Sequence, residues 1–335
     1  MRFGYSEVCL AHETGPRHPE SPDRLRAIRE RLKRRHGVSY VEAAPAERTT
    51  LTTVHDSDYV ESVCSFCADG GGQWDADTVA VEETWDAILR SAGLACWVAD
   101  RALAGDDGRQ TPFSLGRPPG HHATTDEAMG FCFANNVAIA VQHALDTADV
   151  DSVAIVDWDV HHGNGTQAIF DDRGDVLFTS LHEEGIYPST GAADEIGTGD
   201  GADTTLNVPL PAGAGDREYL AAIDELLCPA IEAFDPELLL VSAGFDAHEH
   251  DPISRVQVST EGFGALAAAV DDLAADVEAP LGFVLEGGYS LDALADSVVT
   301  IHEVFAGYEP ERPTGEVSGR VRAQLDAIAS SHPLL

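Results

Sequence analysis

Over the second half of the chain, short apolar runs alternate with longer stretches in which apolar residues recur at helical spacing. Each short run predicts a buried strand, and each longer stretch predicts a helix. The predicted strands are 153–156, 176–181, 205–210, 238–242 and 281–285, and the predicted helices are 166–170, 217–234, 263–276, 291–305 and 317–328. This alternation is typical of the α/β class, with a mostly parallel sheet and helices on both faces.

The N-terminal part of the chain is predicted to be mainly helical. Helices are expected from Pro22 to a stop at Gly37, over 58–68 and over 82–104. Ser21 is the expected N-cap of the first helix, and the many arginines of that helix are expected to form a solvated face. No internal repeat and no long linker rich in proline, glycine or serine divides the sequence, so we expect one domain.

The strand 153–156 ends in a run of polar residues that a buried strand would not normally tolerate. On an extended chain Asp157, Asp159 and His161 share one face, while Trp158 and Val160 take the other. Burying two carboxylates beside an imidazole is costly unless a cation or hydrogen-bond donors compensate them. We therefore predict that this stretch is half of a metal site at the carboxyl end of a parallel strand.

Other loops next to predicted strands carry further polar residues. Asp246 follows the strand 238–242, so it is expected at the same edge of the sheet as Asp159 and His161. One histidine and two carboxylates suit zinc and leave room for water, although these residue types also fit iron(II) or cobalt(II). The remaining loops of interest are 117–123, 130–136 and 285–291.

The charge balance is strongly acidic. The chain has 58 Asp and Glu against 20 Lys and Arg, a formal net charge of −38, and its one lysine is Lys33. Such a surface repels phosphate backbones, which argues against nucleic acid as a partner. Because 1 M salt shortens the screening length to roughly 3 Å, the composition suits a very salty cytoplasm. We expect a halophilic archaeal protein, with an ordinary acidic mesophilic protein as the alternative.

The six cysteines are scattered, so no disulfide framework is expected. Cys64 and Cys67 form a single CxxC in a predicted helix, which favours structural thiols over half of a zinc site. The sequence shows neither a signal peptide nor an apolar run of the roughly 18 residues that a membrane span needs. A soluble, cytoplasmic protein with no membrane partner is expected.

Six segments resemble the histone deacetylase family, which includes acetoin utilization proteins and acetylpolyamine amidohydrolases. They are, in order, PPGHHA, GFCFANN, DWDVHHGNGTQAIF, SLHEEGIYPSTG, AGFDAHEHDP and LEGGYSL, and the resemblance extends from the HPESPDRL segment to about Phe305. The resemblance implies a single α/β domain with a mostly parallel eight-stranded sheet, shared with arginases. The catalytic domain would span residues 1–310, and 311–335 would be a C-terminal helical tail packed on or extending it. Glu286 before the Gly-Gly-Tyr sequence is similar to the class II branch.

The resemblance also implies a role for each polar residue. Asp159, His161 and Asp246 would bind one catalytic zinc ion. The tandem imidazoles of His121 and His122 would move protons. Asp157 would hydrogen-bond and orient the first imidazole, and Asn164 the second. Tyr289 would donate a hydrogen bond to the substrate carbonyl, and further substrate contacts would come from Gly130, Phe131, Tyr187 and Gly287. A potassium site would be formed around Asp157, Asp159, His161, Ser180 and Leu181. His162 is left as structural.

The expected activity is zinc-dependent hydrolysis of the acetyl amide of acetyl-lysine side chains in proteins. Acetylpolyamines or other small acylamines are alternative substrates, since an acidic surface attracts either cationic product. A ureohydrolase is a more distant alternative, but that chemistry needs two manganese ions and more carboxylates. A catalytically silent reader of acetyl-lysine is disfavoured by the intact set of candidate residues. The oligomeric state, and which imidazole is base and which is acid, are left open.

Overall fold

A computed structural model describes residues 1–105 and 111–335. A parallel eight-stranded sheet forms its centre, in the order β2-β1-β5-β10-β9-β6-β7-β8, and β3 and β4 pair separately as an antiparallel hairpin. The strands are β1 (Arg2–Gly4), β2 (Ser39–Val41), β3 (Gly72–Gln73), β4 (Val79–Ala80), β5 (Pro112–Ser114), β6 (Val153–Asp157), β7 (Val176–Glu183), β8 (Thr205–Leu210), β9 (Leu238–Ala243) and β10 (Leu281–Leu285).

Helices cover both faces of the sheet. The α-helices are α1 (Asp23–Leu32), α2 (Arg48–Leu51), α3 (Ser57–Ala68), α4 (Thr84–Leu103), α5 (Asn136–Thr147), α6 (Asn164–Phe170), α7 (Asp216–Ala222), α8 (Cys228–Phe234), α9 (Thr260–Asp276), α10 (Leu291–Val304) and α11 (Gly319–Ser331). Glu7–Ala11 and Gly199–Gly201 are short 3₁₀ turns. In the described part of the chain, no helix combines the length and apolarity that crossing a membrane requires.

Strand β6 shows how the sheet separates two apolar layers. Val153 and Ile155 face the layer that contains α4 and α5, whereas Ala154 and Val156 face the layer that contains α1, α9 and α10. All four side chains are fully buried. A strand covered on both faces reads as a continuous apolar run rather than an alternating one, which is why the 153–156 segment was recognisable in the sequence.

The predicted fold class is confirmed, with three local corrections. Helix α1 begins at Asp23 after Pro22, and no side chain caps it, so the expected Ser21 cap is wrong. Arg24 on this helix is fully buried, so the helix is not simply a solvated arginine face. The predicted helix 217–234 is interrupted by a π-helical turn over Ile223–Leu227.

Strands β6, β9 and β10 are neighbours in the sheet. Their carboxyl ends therefore meet at one edge, although they are far apart in the sequence. The loops after them carry the polar residues that the sequence singles out, and this edge is where the candidate site lies.

Candidate active site

Asp159, His161 and Asp246 form the candidate metal centre. One ligand atom from each lies within 4.8 Å of the others. Nδ1 of His161 is 3.1 Å from Oδ1 of Asp159 and 3.2 Å from Oδ2 of Asp246. Both carboxylates are fully buried, and the His161 side chain is 11% exposed. These oxygen and nitrogen donors converge from two loops, as a three-ligand zinc site requires.

The second oxygen of each carboxylate is held by the backbone. The Gly287 amide donates to Oδ2 of Asp159 at 2.8 Å, and the Val160 amide donates to Oδ1 of Asp246 at 2.9 Å. Oδ2 of Asp246 is buried and accepts no aligned hydrogen bond from any described residue. A buried, oriented carboxylate oxygen that has the His161 ring beside it but no aligned hydrogen-bond donor fits a divalent cation.

Two glycines keep the space around these carboxylates open. A Cβ atom on Gly244 would lie 2.0 Å from Oδ2 of Asp159. A Cβ atom on Gly287 would lie 2.2 Å from Oδ2 of Asp246 and 2.5 Å from Oδ2 of Asp159. Any side chain at either position would displace the carboxylates, so the glycines are part of the site's shape.

Each imidazole of the tandem histidines is oriented by its own partner. Nδ1 of His121 is 3.0 Å from Oδ2 of Asp157, and Nδ1 of His122 is 2.8 Å from Oδ1 of Asn164. The ring centroids are 4.0 Å apart, and Nε2 of His121 is 3.7 Å from Oδ1 of Asp159. The structure contains the hydrogen-bond pairing that the family resemblance implies, and the His121 ring borders the candidate metal centre.

Different surroundings separate the proton affinities of the two imidazoles. Burial disfavours the charged form of His121, but the carboxylates of Asp159 and Asp157 outweigh it and raise the pKa to about 10. Burial, followed by the neighbouring charges of His121 and His161, holds the pKa of His122 well below its usual range. Burial raises the pKa of Asp157 to about 6. Two adjacent titratable groups with opposed shifts are typical of acid–base sites.

Aromatic rings surround the approach to the imidazoles. The Tyr187 ring lies edge-on to His122 with centroids 5.1 Å apart, and Tyr187 is 40% exposed. The Phe131 ring lies edge-on to Tyr289 at 5.8 Å. Phe131 has φ +69° and follows Gly130 at φ +56°, where a Cβ atom would lie 2.4 Å from Cδ2 of His122. A bulky residue held at positive φ is strained, which is common where a side chain must face a ligand.

A buried ionic cluster beneath Tyr289 was not predicted from the sequence. Glu20, Arg24 and Arg117 are each 0% exposed. Glu20 accepts from Arg117 Nε at 2.5 Å and from Arg24 Nη1 at 3.2 Å. Arg24 also donates to the carbonyls of Gly288, at 2.7 Å, and Glu286, and its guanidinium lies 5.1 Å from the Tyr289 ring centroid. The cluster therefore supports the loop that presents Tyr289.

The sequence did contain a signal for this cluster. The buried positions of α1 are Arg24, Leu25, Ile28 and Leu32, so Arg24 lies one helical turn before Ile28 on the apolar stripe. Asp251, in the AGFDAHEHDP segment, was also missed. Its Oδ2 accepts the backbone amides of Tyr289 at 2.6 Å and Ser290 at 3.0 Å.

The residues suggested for a monovalent cation lie on adjoining strands. Asp157 pairs in register with Ser180 across β6 and β7. Nε2 of His182 is 3.0 Å from the Gly191 carbonyl, which can only accept, so Nε2 carries the proton. Nδ1 of His182 therefore accepts from the Ser180 hydroxyl at 3.0 Å. This leaves lone pairs of Ser180 Oγ available to a cation.

The other sequence expectations concern structural side chains. His162 is buried and hydrogen-bonds Thr190 and Gln167, each at 2.8 Å, which agrees with a structural role. All six cysteines are free thiols. The CxxC lies in α3, with Cys67 buried and Cys64 partly exposed.

Comparison with known proteins decides the family. The model of the histone deacetylase domain matches residues 18–305. The chain belongs to the histone deacetylase family. It is 38% identical over 310 residues to the histone deacetylase-like amidohydrolase of Pseudomonas aeruginosa, covering 86% of this chain and 81% of that protein. It is 36% identical over 344 residues to the chloroplastic histone deacetylase 10 of Oryza sativa, covering 95% and 78%.

The solved structures agree. The crystal structure of the HDA15 HD domain aligns with a TM-score of 0.90 and 34% identity, covering 98% of this chain and 93% of that chain. This histone deacetylase family member is therefore a hydrolase of the deacetylase type, which acts on amide bonds.

Proposed function

We propose that the deacetylase hydrolyses the acetyl amide of acetyl-lysine side chains in proteins, with one zinc ion per chain. The proposal rests on how the candidate metal ligands and the His121 imidazole are arranged. The Asp159–His161–Asp246 donors lie within 4.8 Å of one another, and the His121 imidazole, held by Asp157, borders them. Family membership supports zinc, and the buried Oδ2 of Asp246, which has no aligned hydrogen-bond donor, fits a cation there.

Amide hydrolysis requires an activated carbonyl and water, proton transfer to the leaving nitrogen, and stabilisation of the oxyanion, and a different group meets each requirement. When bound, the zinc ion supplies the Lewis acidity that activates a carbonyl and water. The imidazoles of His121 and His122 take a proton from water and return one to the leaving nitrogen, and the Asp157 carboxylate and Asn164 amide hold them in orientation. The Tyr289 hydroxyl donates a hydrogen bond to the oxyanion and keeps its proton, because burial raises the pKa of this phenol well above its usual value.

The substrate side chain is proposed to enter between Phe131 and Tyr187. Both rings border the imidazole–tyrosine region, and Gly130 and Gly287 leave room for the acyl chain. An approach bordered by aromatic rings suits the slender uncharged side chain of acetyl-lysine. We also propose a potassium site formed by oxygens of Asp157, Asp159, His161, Ser180 and Leu181, supported by the in-register pairing of β6 with β7 and the free lone pairs of Ser180.

Small acetylated amines are the second candidate class, because an acetylpolyamine presents the same amide on the same kind of chain. The composition supports a molar-salt environment for either substrate, with 58 acidic against 20 basic residues. A protein in a salty cytoplasm, without nucleic-acid or membrane partners, remains our working hypothesis.

The test is a comparison of kcat/KM for an acetyl-lysine peptide, an acetylpolyamine and a guanidino substrate, measured in molar salt. The peptide is expected to be the best substrate and the guanidino compound inert. His121→Ala should abolish turnover, whereas His143→Ala, which removes a partly exposed imidazole paired with Asp100, should not. If the acetylpolyamine is the better substrate, small acetylated amines become the proposed substrate class. Hydrolysis of the guanidino compound would contradict the proposal that the protein is a deacetylase.

A further inference from the structure

Glu286 is a buried carboxylate that the mechanism above does not use. It follows β10 and is 0% exposed. Its Oε2 accepts the backbone amides of Gly120 at 2.7 Å and His121 at 3.1 Å. The two amides belong to the loop that carries the tandem histidines, so a single oxygen holds that loop against the end of β10.

This carboxylate lacks the compensation that buried carboxylates normally have. Within the described residues its Oε1 accepts no hydrogen bond, and no arginine or lysine pairs with either oxygen. Arg24 contacts only its backbone carbonyl. Burial raises the pKa of Glu286 to about 7, although the neighbouring His121 and the two amides oppose that shift. An apolar side chain would avoid the cost of burying this charge, but it would leave the Gly120 and His121 amides without their acceptor.

The same loop also holds one candidate metal ligand and carries the tyrosine. Gly287, the next residue, donates its amide to Oδ2 of Asp159 at 2.8 Å. Tyr289 is two residues further on. Glu286 therefore connects the backbone of the acid–base histidine to the segment that fixes a metal ligand. A change in that connection moves His121 relative to Asp159, whose Oδ1 lies 3.7 Å from Nε2 of His121.

We propose that Glu286 is a positioning residue for the deacetylase reaction, whose carboxylate clamps the Gly120 and His121 amides and so fixes the His121 imidazole relative to the metal ligands. The inference rests on the proposed function. It assigns Glu286 no contact with substrate, so its loss should act on kcat and leave KM unchanged. Misplacement of a catalytic group by about 1 Å typically costs about 10²-fold in rate.

Variants of Glu286 can show whether its carboxylate positions the His121 loop or only fills space in the core. Glu286→Ala removes the acceptor and is expected to lower kcat about 10²-fold with unchanged KM and unchanged metal content. Glu286→Gln keeps an oxygen for both amides and should recover most of kcat. Glu218→Ala is the matched control: Glu218 is a buried carboxylate whose oxygens also accept two backbone amides, from Gly215 and Ser318, each at 3.1 Å. That variant should lose stability and keep kcat.

A second readout does not depend on turnover. In ¹H–¹⁵N NMR spectra, the Gly120 and His121 amides should resonate downfield and exchange slowly in the wild type, and both properties should be lost in Glu286→Ala and kept in Glu286→Gln. Unchanged amide resonances in Glu286→Ala, or a fall in kcat/KM that comes only from KM, would overturn the clamp. If Glu286→Ala does not fold, a Glu286→Gln protein with displaced amide resonances but normal kcat would overturn it as well. Wild-type protein that turns over no acetylated substrate, with the amides still clamped, would instead contradict the proposed function.

Discussion

Removing the charge of Glu20 should destabilise the fold strongly, because Glu20 is the carboxylate of a fully buried cluster. It accepts hydrogen bonds from Arg117 at both oxygens, at 2.5 and 2.8 Å, and from Arg24 at 3.2 Å. All three side chains are 0% exposed. Glu20→Gln keeps the shape of the side chain but leaves two buried guanidinium groups without a counter-charge.

The expected loss follows from that burial. Breaking a buried ion pair by neutralising one partner typically costs about 3–5 kcal/mol. An unfolding entropy of about 2.1 cal/mol/K per residue gives roughly 0.7 kcal/mol/K for the 335 residues of this chain. The free-energy loss therefore corresponds to a decrease in Tm of about 4–7 °C. Calorimetry in molar salt measures it directly.

An exposed pair provides the control. Asp224 accepts from Arg312 at 2.8 Å, but the two side chains are 44% and 59% exposed. Exposed pairs typically contribute about 0–1 kcal/mol, so Asp224→Asn should lower Tm by no more than about 1.4 °C. Equal Tm values for the Glu20→Gln and Asp224→Asn proteins would refute the idea that the buried cluster stabilises the fold as an ion network.

The remaining predictions concern acid, the metal, the tyrosine and salt. Burial opposes ionisation of Glu20, but Arg117, His12 and Arg24 hold its pKa well below its usual value of 4.5. The stability that ionised Glu20 gives to the fold should therefore be complete above pH 4.5 and be lost as the pH falls towards the folded-state pKa. The free energy of unfolding, measured against pH in acid, should fall more steeply for the wild type than for Glu20→Gln. Asp246→Asn should reduce bound zinc, measured by elemental analysis, well below one ion per chain; full occupancy would remove Asp246 from the ligand set. Tyr289→Phe should lower kcat about 10²–10³-fold with zinc retained, whereas Tyr308→Phe, at an exposed position, should match wild type. Dilution from molar to low salt should unfold the chain as followed by circular dichroism, and a fold unchanged in dilute buffer would count against halophily.

The sheet and the clustering of the candidate metal ligands could be predicted for related physical reasons. Strands such as β6 are buried on both faces and therefore read as uninterrupted apolar runs. A polar sequence that starts where such a run stops has to lie at the strand's carboxyl end, which places Asp159 and Asp246 at a common edge. The roles proposed for individual residues came from the family resemblance, because a position at the end of a strand does not by itself show which carboxylate would bind a metal ion.

The features that the sequence did not reveal depend on tertiary contacts. Strands β1, β2 and β5 have three residues each, too few to show a period. The sequence of α1 suggested that Arg24 is solvated, because the helix itself contains no acidic residue one turn from Arg24 that could compensate a buried arginine. Here the partners are Glu20 in the preceding segment and backbone carbonyls of Glu286 and Gly288, more than 260 positions away.

The loop from Glu286 to Tyr289 explains why these distant segments occur in one site. Its carbonyls are held from below by Arg24, and its Tyr289 amide is held by Asp251. It in turn holds His121 through the Glu286 carboxylate and Asp159 through the Gly287 amide. A backbone fixed on both sides loses little freedom when substrate binds, so the imidazole, the candidate metal ligand and the phenol are pre-organised together. Under the proposed function, the buried charges near this loop fix several catalytic groups at once, so their stability effects and rate effects should appear in the same variants.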